Sequence, residues 1–154
     1  MSEGTPISGA EGAWFARALV EAASEAIVVT DPEGIVRLWN AGAEAMFGYP
    51  ASEAIGRSLD LIIPEKQRAA HWNGYRKTMA TGITRYGDTL LAVPALHRDG
   101  HRLSIEFSVA LLRDDAGAIA GISAIMREVG KRRAAERALR ARLAELEQQA
   151  APVR

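Results

Sequence analysis

The spacing of apolar residues changes several times along the chain, and each change marks a predicted element. The first pattern is helical, with one face carrying Trp14, Phe15, Ala18, Leu19 and Ala22. The β-rich run AIVVTD (26–31) then leads into DPEG (31–34), a strong turn signal, and into the alternating run IVRLWN (35–40). These runs predict a helix followed by a β-hairpin.

Helical signals dominate the next part of the chain. Asn40 is a good N-cap for a short Ala-rich helix that Gly48 can end. Residues 52–63 are typical of short helical turns. Pro64 suits the first position of a longer helix, which we expect over residues 64–80.

The pattern then returns to strands. Residues 84–96 lead into the turn HRDGH (97–101), and residues 102–112 alternate cleanly between apolar and polar positions. A last strand is predicted over residues 119–126. The predicted fold class is therefore α+β, with a five-stranded antiparallel sheet and short helices over one of its faces.

The chain changes character again near residue 127, where Ala, Arg, Glu and Leu predominate. A 4-3-4 spacing relates Leu139, Leu143, Leu146 and Ala150, which is typical of a coiled-coil seam or an amphipathic connector helix. About two heptads are too few to be stable alone, so we expect a homodimer that pairs through this helix and through the N-terminal helix with Trp14, Phe15 and Leu19. Residues 127–142 are locally basic, but interspersed glutamates and the lack of aromatic residues favour a solvated face over nucleic-acid binding.

Composition narrows the functional classes. The formal net charge is zero, so no global field attracts nucleic acid or an anionic membrane. There is no cysteine, which excludes disulfides, thiolate metal sites and cysteinyl photochemistry. Residues 1–12 are polar and Gly-rich and are predicted to be a disordered leader without signal-peptide features. We expect a soluble, cytoplasmic protein.

The order of elements, together with two segments, resembles a PAS sensory domain over about residues 14–130. The segments are EAIVVTDPEGIVRLWNAGAEAMFGYPASEAIGRSLDLIIPE and HRDGHRLSIEFSVALLRDDAGAIAGISAIMREV. The resemblance implies a sensor domain over residues 13–128, with a cavity between sheet and helices. It also implies a connector helix over residues 129–154 that leads to an output domain or a partner protein.

Within this resemblance, the stretch IIPEKQRAAHWNGY is similar to the corresponding helix of haem-PAS oxygen-sensor kinases and haem-regulated phosphodiesterases. The similarity implies that His71 is the proximal ligand of a b-type haem, and therefore a metal ligand. The other implied cofactor-site residues are Tyr75, which would shape the pocket, Lys77 and Arg85, which would lie near the propionates, and Phe107 and Val109, which would cover the distal face.

Two positions depart from the haem families. The arginine that contacts bound dioxygen would fall on Leu91, and the methionine that caps the iron would fall on Thr89. The resemblance therefore does not imply that an arginine stabilises bound dioxygen in this protein. Dioxygen, carbon monoxide, nitric oxide and redox state all stay open as signals.

His71 also has an ordinary interpretation. His71, Tyr75 and Met79 recur at every fourth position on one helical face, which is typical of core or rim residues. Trp72, about 100° further round the helix, is predicted to be a surface or interface residue. The alternative function is thus a haem-free PAS module that binds another small molecule or acts in dimerisation.

The remaining polar residues suggest little chemistry. His97 and His101 flank a turn at a spacing compatible with metal binding, although turn histidines are usually only solvated. Asp31 and Asn40 suit turn and cap roles, and Glu106 is predicted to be exposed. No P-loop, HExxH or Ser/His/Asp order is present, so we do not expect an enzyme.

Overall fold

The computed structural model describes residues 8–84 and 91–151. The helices are α1 (Gly9–Ala22), α2 (Ala41–Phe47), α3 (Ala51–Ala54), a 3-10 helix (Leu59–Ile62), α4 (Glu65–Thr81) and α5 (Gly130–Ala150). The strands are β1 (Ala26–Thr30), β2 (Val36–Trp39), β3 (Leu91–Leu96), β4 (Arg102–Arg113) and β5 (Ile119–Glu128). Their order along the chain is the predicted one.

The five strands form one antiparallel sheet in the order β2-β1-β5-β4-β3. The hairpin β1–β2 and the meander β3–β4–β5 meet where β1 pairs with β5, at the centre of the sheet. In this register Val28, Ala124 and Val109 form one row across three strands. The predicted fold class is confirmed.

The core lies between one face of this sheet and the short helices. Trp39 of β2 and Phe47 of α2 are buried with their ring centroids 5.5 Å apart. Val28, Val36, Ile105 and further apolar residues complete the cluster. Strand alternation and short helices that each bury a few apolar residues explain this arrangement.

Several observed element boundaries differ from the predicted ones. Helix α1 begins at Gly9, so residues 9–12 are helical although we assigned them to the leader. The helix after the sheet begins at Gly130 and not near residue 127, because β5 keeps pairing with β4 as far as Glu128. Of the strand predicted over residues 84–96, β3 accounts for Leu91–Leu96, and residues 85–90 lie outside the described residues.

Both flanking helices present apolar side chains to solvent. Trp14 is 56% exposed and Leu19 is 70% exposed on α1, while Leu139 is 71% exposed on α5. Neither helix contains a buried residue. Among the described residues, no helix is both long enough and apolar enough to cross a bilayer.

Candidate functional site around helix α4

Helix α4 is held against the rest of the domain at its middle and at its C-terminal end. The Trp72 indole N–H donates to the Asp60 carboxylate over 2.7 Å, which ties the helix to the preceding 3-10 helix. The Tyr75 hydroxyl bonds the Thr30 hydroxyl, 2.9 Å away, and the backbone carbonyl of Asp31. At the C-terminus, a Cβ on Gly82 would lie 3.0 Å from the Arg113 guanidinium, so α4 ends against the β4–β5 turn.

Trp72 is not the surface residue that its position on the helical wheel predicted. It is partly buried and packs against the core cluster. Its ring lies so close to Gly34, in the β1–β2 turn, that a Cβ there would be 2.2 Å from two ring carbons. The turn glycine leaves room for the indole, and this long-range contact is invisible in local periodicity.

His71 is partly buried beside two aromatic rings. Its ring centroid lies 4.6 Å from that of Trp72, edge on, and 5.9 Å from that of Tyr75. Its Nδ1 is buried and has no hydrogen-bond partner within the described part of the chain. Burial lowers the pKa of His71, and the nearby Asp60 carboxylate opposes this only in part. The neutral imidazole, which is the form that binds metals, is therefore favoured.

Tyr75 is buried, with 8% of its surface exposed. Burial raises the pKa of its phenol, although the hydrogen bond with Thr30 acts in the opposite direction. The hydroxyl therefore stays protonated and fastens α4 to the end of β1. This bond sets the position of His71, which lies one helical turn before Tyr75.

The apolar residues predicted to cover a cofactor lie on the sheet. Phe107 is partly buried and packs against the core, and the partly buried Val109 follows it on the same face of β4. In the register, Phe107 pairs with Leu91 of β3. Val109 lies in the same row of paired residues as Val28. The next row on this face contains Thr30, whose hydroxyl is hydrogen-bonded to Tyr75. This part of the inner face is apolar and incompletely covered.

The predicted basic and distal positions are only partly described. Lys77 lies on α4 and is exposed. Arg85 and Thr89 lie outside the described residues, and only the backbone of Leu91 is described.

The polar residues given turn and cap roles behave as predicted. The side-chain oxygen of Asn40 accepts the Ala43 amide at the start of α2. The Asp31 carboxylate accepts the amides of Glu33 and Ile35. Burial acts to raise the pKa of Asp31, but these amides and Arg37 outweigh it and hold the pKa below its usual value. Glu106 is less exposed than predicted, because the Arg132 guanidinium of α5 covers its carboxylate.

An open cleft of about 510 Å³ was not anticipated from the sequence. It lies between the start of β1, helix α2 and the end of β5, and His71 does not line it. An ion pair between Glu25 and Arg127, 3.5 Å apart, spans the two strand ends. These residues are about a hundred positions apart in the sequence, so only the β1–β5 pairing brings them together. The cleft therefore marks the place where both flanking helices join the domain.

Comparison with known proteins identifies this architecture. A family model described as the PAS fold matches residues 15–129. The chain belongs to the PAS family. An uncharacterized protein of Azorhizobium caulinodans is 34% identical over 124 residues, which are 80% of this chain and 17% of that protein. The sensor protein FixL of Bradyrhizobium diazoefficiens is 30% identical over 96 residues, which are 60% of this chain and 18% of FixL.

Solved structures agree with the family assignment. The structure of an RNA-binding light-oxygen-voltage receptor superposes with a TM-score of 0.67 at 25% identity, covering 97% of this chain and 41% of the receptor. The chain spans less than a fifth of the length of each curated relative above, 17% for the Azorhizobium caulinodans protein and 18% for FixL. This PAS domain is a signal-sensing module.

Proposed function

We propose that this PAS domain senses a diatomic gas or a redox state through a b-type haem bound by His71, and passes the signal on through α5. The carrying observation is the partly buried, neutral imidazole whose Nδ1 has no partner among the described residues. A bound haem would supply an iron atom that changes redox state or takes a gas molecule as a ligand.

The residues around His71 suit this group. The Tyr75 anchor and the Trp72–Asp60 hydrogen bond orient α4, so the position of the imidazole is set by the fold. The apolar face at Phe107 and Val109 would exclude water from a hydrophobic macrocycle. Lys77, exposed on the same helix, is available to pair with a propionate at the rim.

Two likenesses support the proposal. The stretch IIPEKQRAAHWNGY, now seen to run from the 3-10 helix into α4, resembles haem-PAS helices. The relationship to FixL covers 96 residues of this chain. With Leu91 at the position of the dioxygen-binding arginine, we expect weaker discrimination in favour of dioxygen than an arginine would provide.

The proposal is tested by mixing the protein with hemin, removing unbound hemin by desalting and recording the absorption spectrum. The wild type should keep a sharp Soret band, and His71→Ala should lose most of it while its far-UV circular dichroism is unchanged. The matched control is His101→Ala, which removes an exposed histidine of the β3–β4 turn and should retain the band. Equal bands in all three proteins, or no band in any, would remove the ligand role of His71.

The second candidate is a haem-free PAS module, favoured by the fold shared with the light-oxygen-voltage receptor. The same desalting experiment with flavin mononucleotide separates the two. Retained flavin fluorescence without a retained Soret band would indicate a flavin-binding module. Since the chain has no cysteine, such a module would form no cysteinyl adduct.

We also propose that the domain works as a homodimer in which a second copy covers the exposed apolar faces of α1 and α5. On α1 these are Trp14, Phe15 and Leu19, and on α5 they are Leu139, Leu143 and Leu146, which are between 46% and 71% exposed. The 4-3 spacing on α5 is self-complementary in a parallel pair, and α5 extends about 31 Å as a regular helix. A downstream output domain or partner protein would receive the signal at its far end.

A glutamate in this seam should weaken the dimer. We expect Leu139→Glu to raise the dimer dissociation constant at least about tenfold, since it places two like charges in an apolar contact. Sedimentation velocity over a concentration series measures this. Ala141→Glu adds the same charge to the opposite face of α5 and should sediment like the wild type. If Leu139→Glu also sediments like the wild type, α5 does not form the interface.

A further inference from the structure

The turn between β3 and β4 gathers three potential metal ligands. His97, Asp99 and His101 each offer one ligand atom, and these atoms all lie within 4.8 Å of one another. The two imidazole rings stack with centroids 4.5 Å apart and an interplanar angle of 21°. The sequence showed the spacing, but only the tight turn makes the rings adjacent.

The turn itself fixes this arrangement. The His97 amide donates to the His101 carbonyl over 3.0 Å, and the Gly100 amide donates to the His97 carbonyl over 2.9 Å. Gly100 has a φ of +92°, a conformation that suits glycine. Ligands on a closed turn lose less conformational entropy on binding than ligands on a flexible loop.

Helix α2 holds the His97 ring from the other side. A Cβ on Gly48 would lie 2.6 Å from both Cε1 and Nε2 of His97, so this edge of the ring rests on the glycine that ends α2. The Arg98 amide donates to the Phe47 carbonyl over 2.9 Å. The Nδ1 edge of His97 is left facing Asp99, with its Nδ1 3.1 Å from the carboxylate.

The three ligand atoms face one another and are open to solvent on one side. The Asp99 amide donates to Nδ1 of His97 over 3.1 Å, so this nitrogen offers a lone pair on the side of Asp99. Nδ1 of His101 is hydrogen-bonded to the Asp99 carboxylate oxygen that lies 3.1 Å from Nδ1 of His97. The side chains of Asp99 and His101 are 61% and 55% exposed, so an ion can reach them. The neighbouring Arg98 guanidinium is paired with Glu53 at 3.0 Å and does not occupy the cluster.

We propose that His97, Asp99 and His101 form a binding site for a divalent transition-metal ion of the zinc class. Two imidazole nitrogens and one carboxylate oxygen are a typical three-ligand set for Zn²⁺, whose remaining position is taken by water. The ion would replace the hydrogen bond between His101 and Asp99 as the link across the turn. Through Gly48 and Phe47, it would tighten the contact of this turn with α2.

The experiment is a titration of tag-free protein with ZnCl₂, followed by isothermal calorimetry and by amide chemical shifts. The wild type should bind one equivalent, with shifts centred on residues 97–101 and reaching Gly48. His101→Ala should weaken binding more than about tenfold, since loss of an outer-shell partner alone costs 10- to 100-fold. Asp99→Asn keeps an acceptor for the His101 amide and so preserves the turn, yet it should also weaken binding.

The matched control is Asp114→Asn, which makes the same exchange in the β4–β5 turn, where the carboxylate accepts the amides of Ala116 and Ala118, and should bind zinc like the wild type. Unsaturable binding by the wild type, unchanged affinity in His101→Ala, or loss of binding in Asp114→Asn would each overturn the site. This result is independent of the haem proposal, because hemin retention is tested by His71→Ala and is expected to survive His101→Ala.

Discussion

Replacing Asn40 with alanine is expected to lower the free energy of unfolding by about 3 kcal/mol. The side chain is fully buried and makes four hydrogen bonds. Its oxygen accepts the amides of Ile27, at 2.8 Å, and Ala43, at 2.9 Å. Its nitrogen donates to the carbonyls of Val20, at 2.8 Å, and Glu25, at 3.1 Å. One amide thus joins α1, β1 and α2.

The magnitude follows from what alanine leaves behind. Loss of an N-cap costs about 1 kcal/mol, and each buried group left without a partner adds about 1–3 kcal/mol unless water reaches it. Urea unfolding followed by circular dichroism measures the change. The control is Ser58→Ala at the 3-10 helix, where a single, partly exposed cap bond of 3.2 Å is lost. That variant should lose less than about 1 kcal/mol, and an equal loss in both would contradict a special role for Asn40.

Replacing Gly42 with alanine should destabilise the domain by about 2 kcal/mol, although alanine is the better helix former. Gly42 lies in the first turn of α2, and a Cβ there would be 2.1 Å from the carbonyl oxygen of Glu25 and 2.9 Å from that of Ser24. Both obstacles are backbone atoms at the junction of α1 and β1. The helix or the junction must therefore move, and neither can do so without disturbing the Asn40 bonds.

Gly74→Ala is the matched substitution with the opposite expected sign. Gly74 is an exposed residue in the middle of α4, and a Cβ there would meet no atom of the described residues within 4 Å. Alanine should therefore raise the free energy of unfolding by about 0.5–1 kcal/mol. Denaturant unfolding of both variants under one set of conditions gives the comparison. A loss of stability in Gly74→Ala, or none in Gly42→Ala, would show that the local packing differs from the one described.

Local chemistry made most elements predictable. Pro64 and Gly82 bracket α4, and Asn40 and Gly48 bracket α2, because cap preferences depend on the nearest few residues. The alternation in residues 102–112 predicted β4 for the same reason. The end of β5 lies two residues beyond the predicted one, because its last residues are held by pairing with β4, and the local sequence does not reveal how far this pairing extends.

The candidate site was only half predictable. Its residue types and spacing pointed to His71 and Tyr75, and both lie on α4 as expected. The sequence could not reveal that Tyr75 is fastened to Thr30, 45 positions away, nor that Trp72 lies over Gly34. The cleft at Glu25 and Arg127 was missed entirely, because a site built from both ends of a domain leaves no local pattern.

By itself, the sequence determined which segments become helix or strand, since apolar periodicity, caps and turn residues act over a few positions. It also excluded thiolate ligands, because there is no cysteine, and so left histidine and carboxylate side chains as the candidate metal ligands. Only the tertiary structure decided how these groups meet: an imidazole on α4 with one nitrogen that has no partner among the described residues, and two others stacked across one turn. The burial of one imidazole and the alignment of the other two depend on contacts between distant segments. Those contacts exist only once the sheet has formed and the helices pack against it.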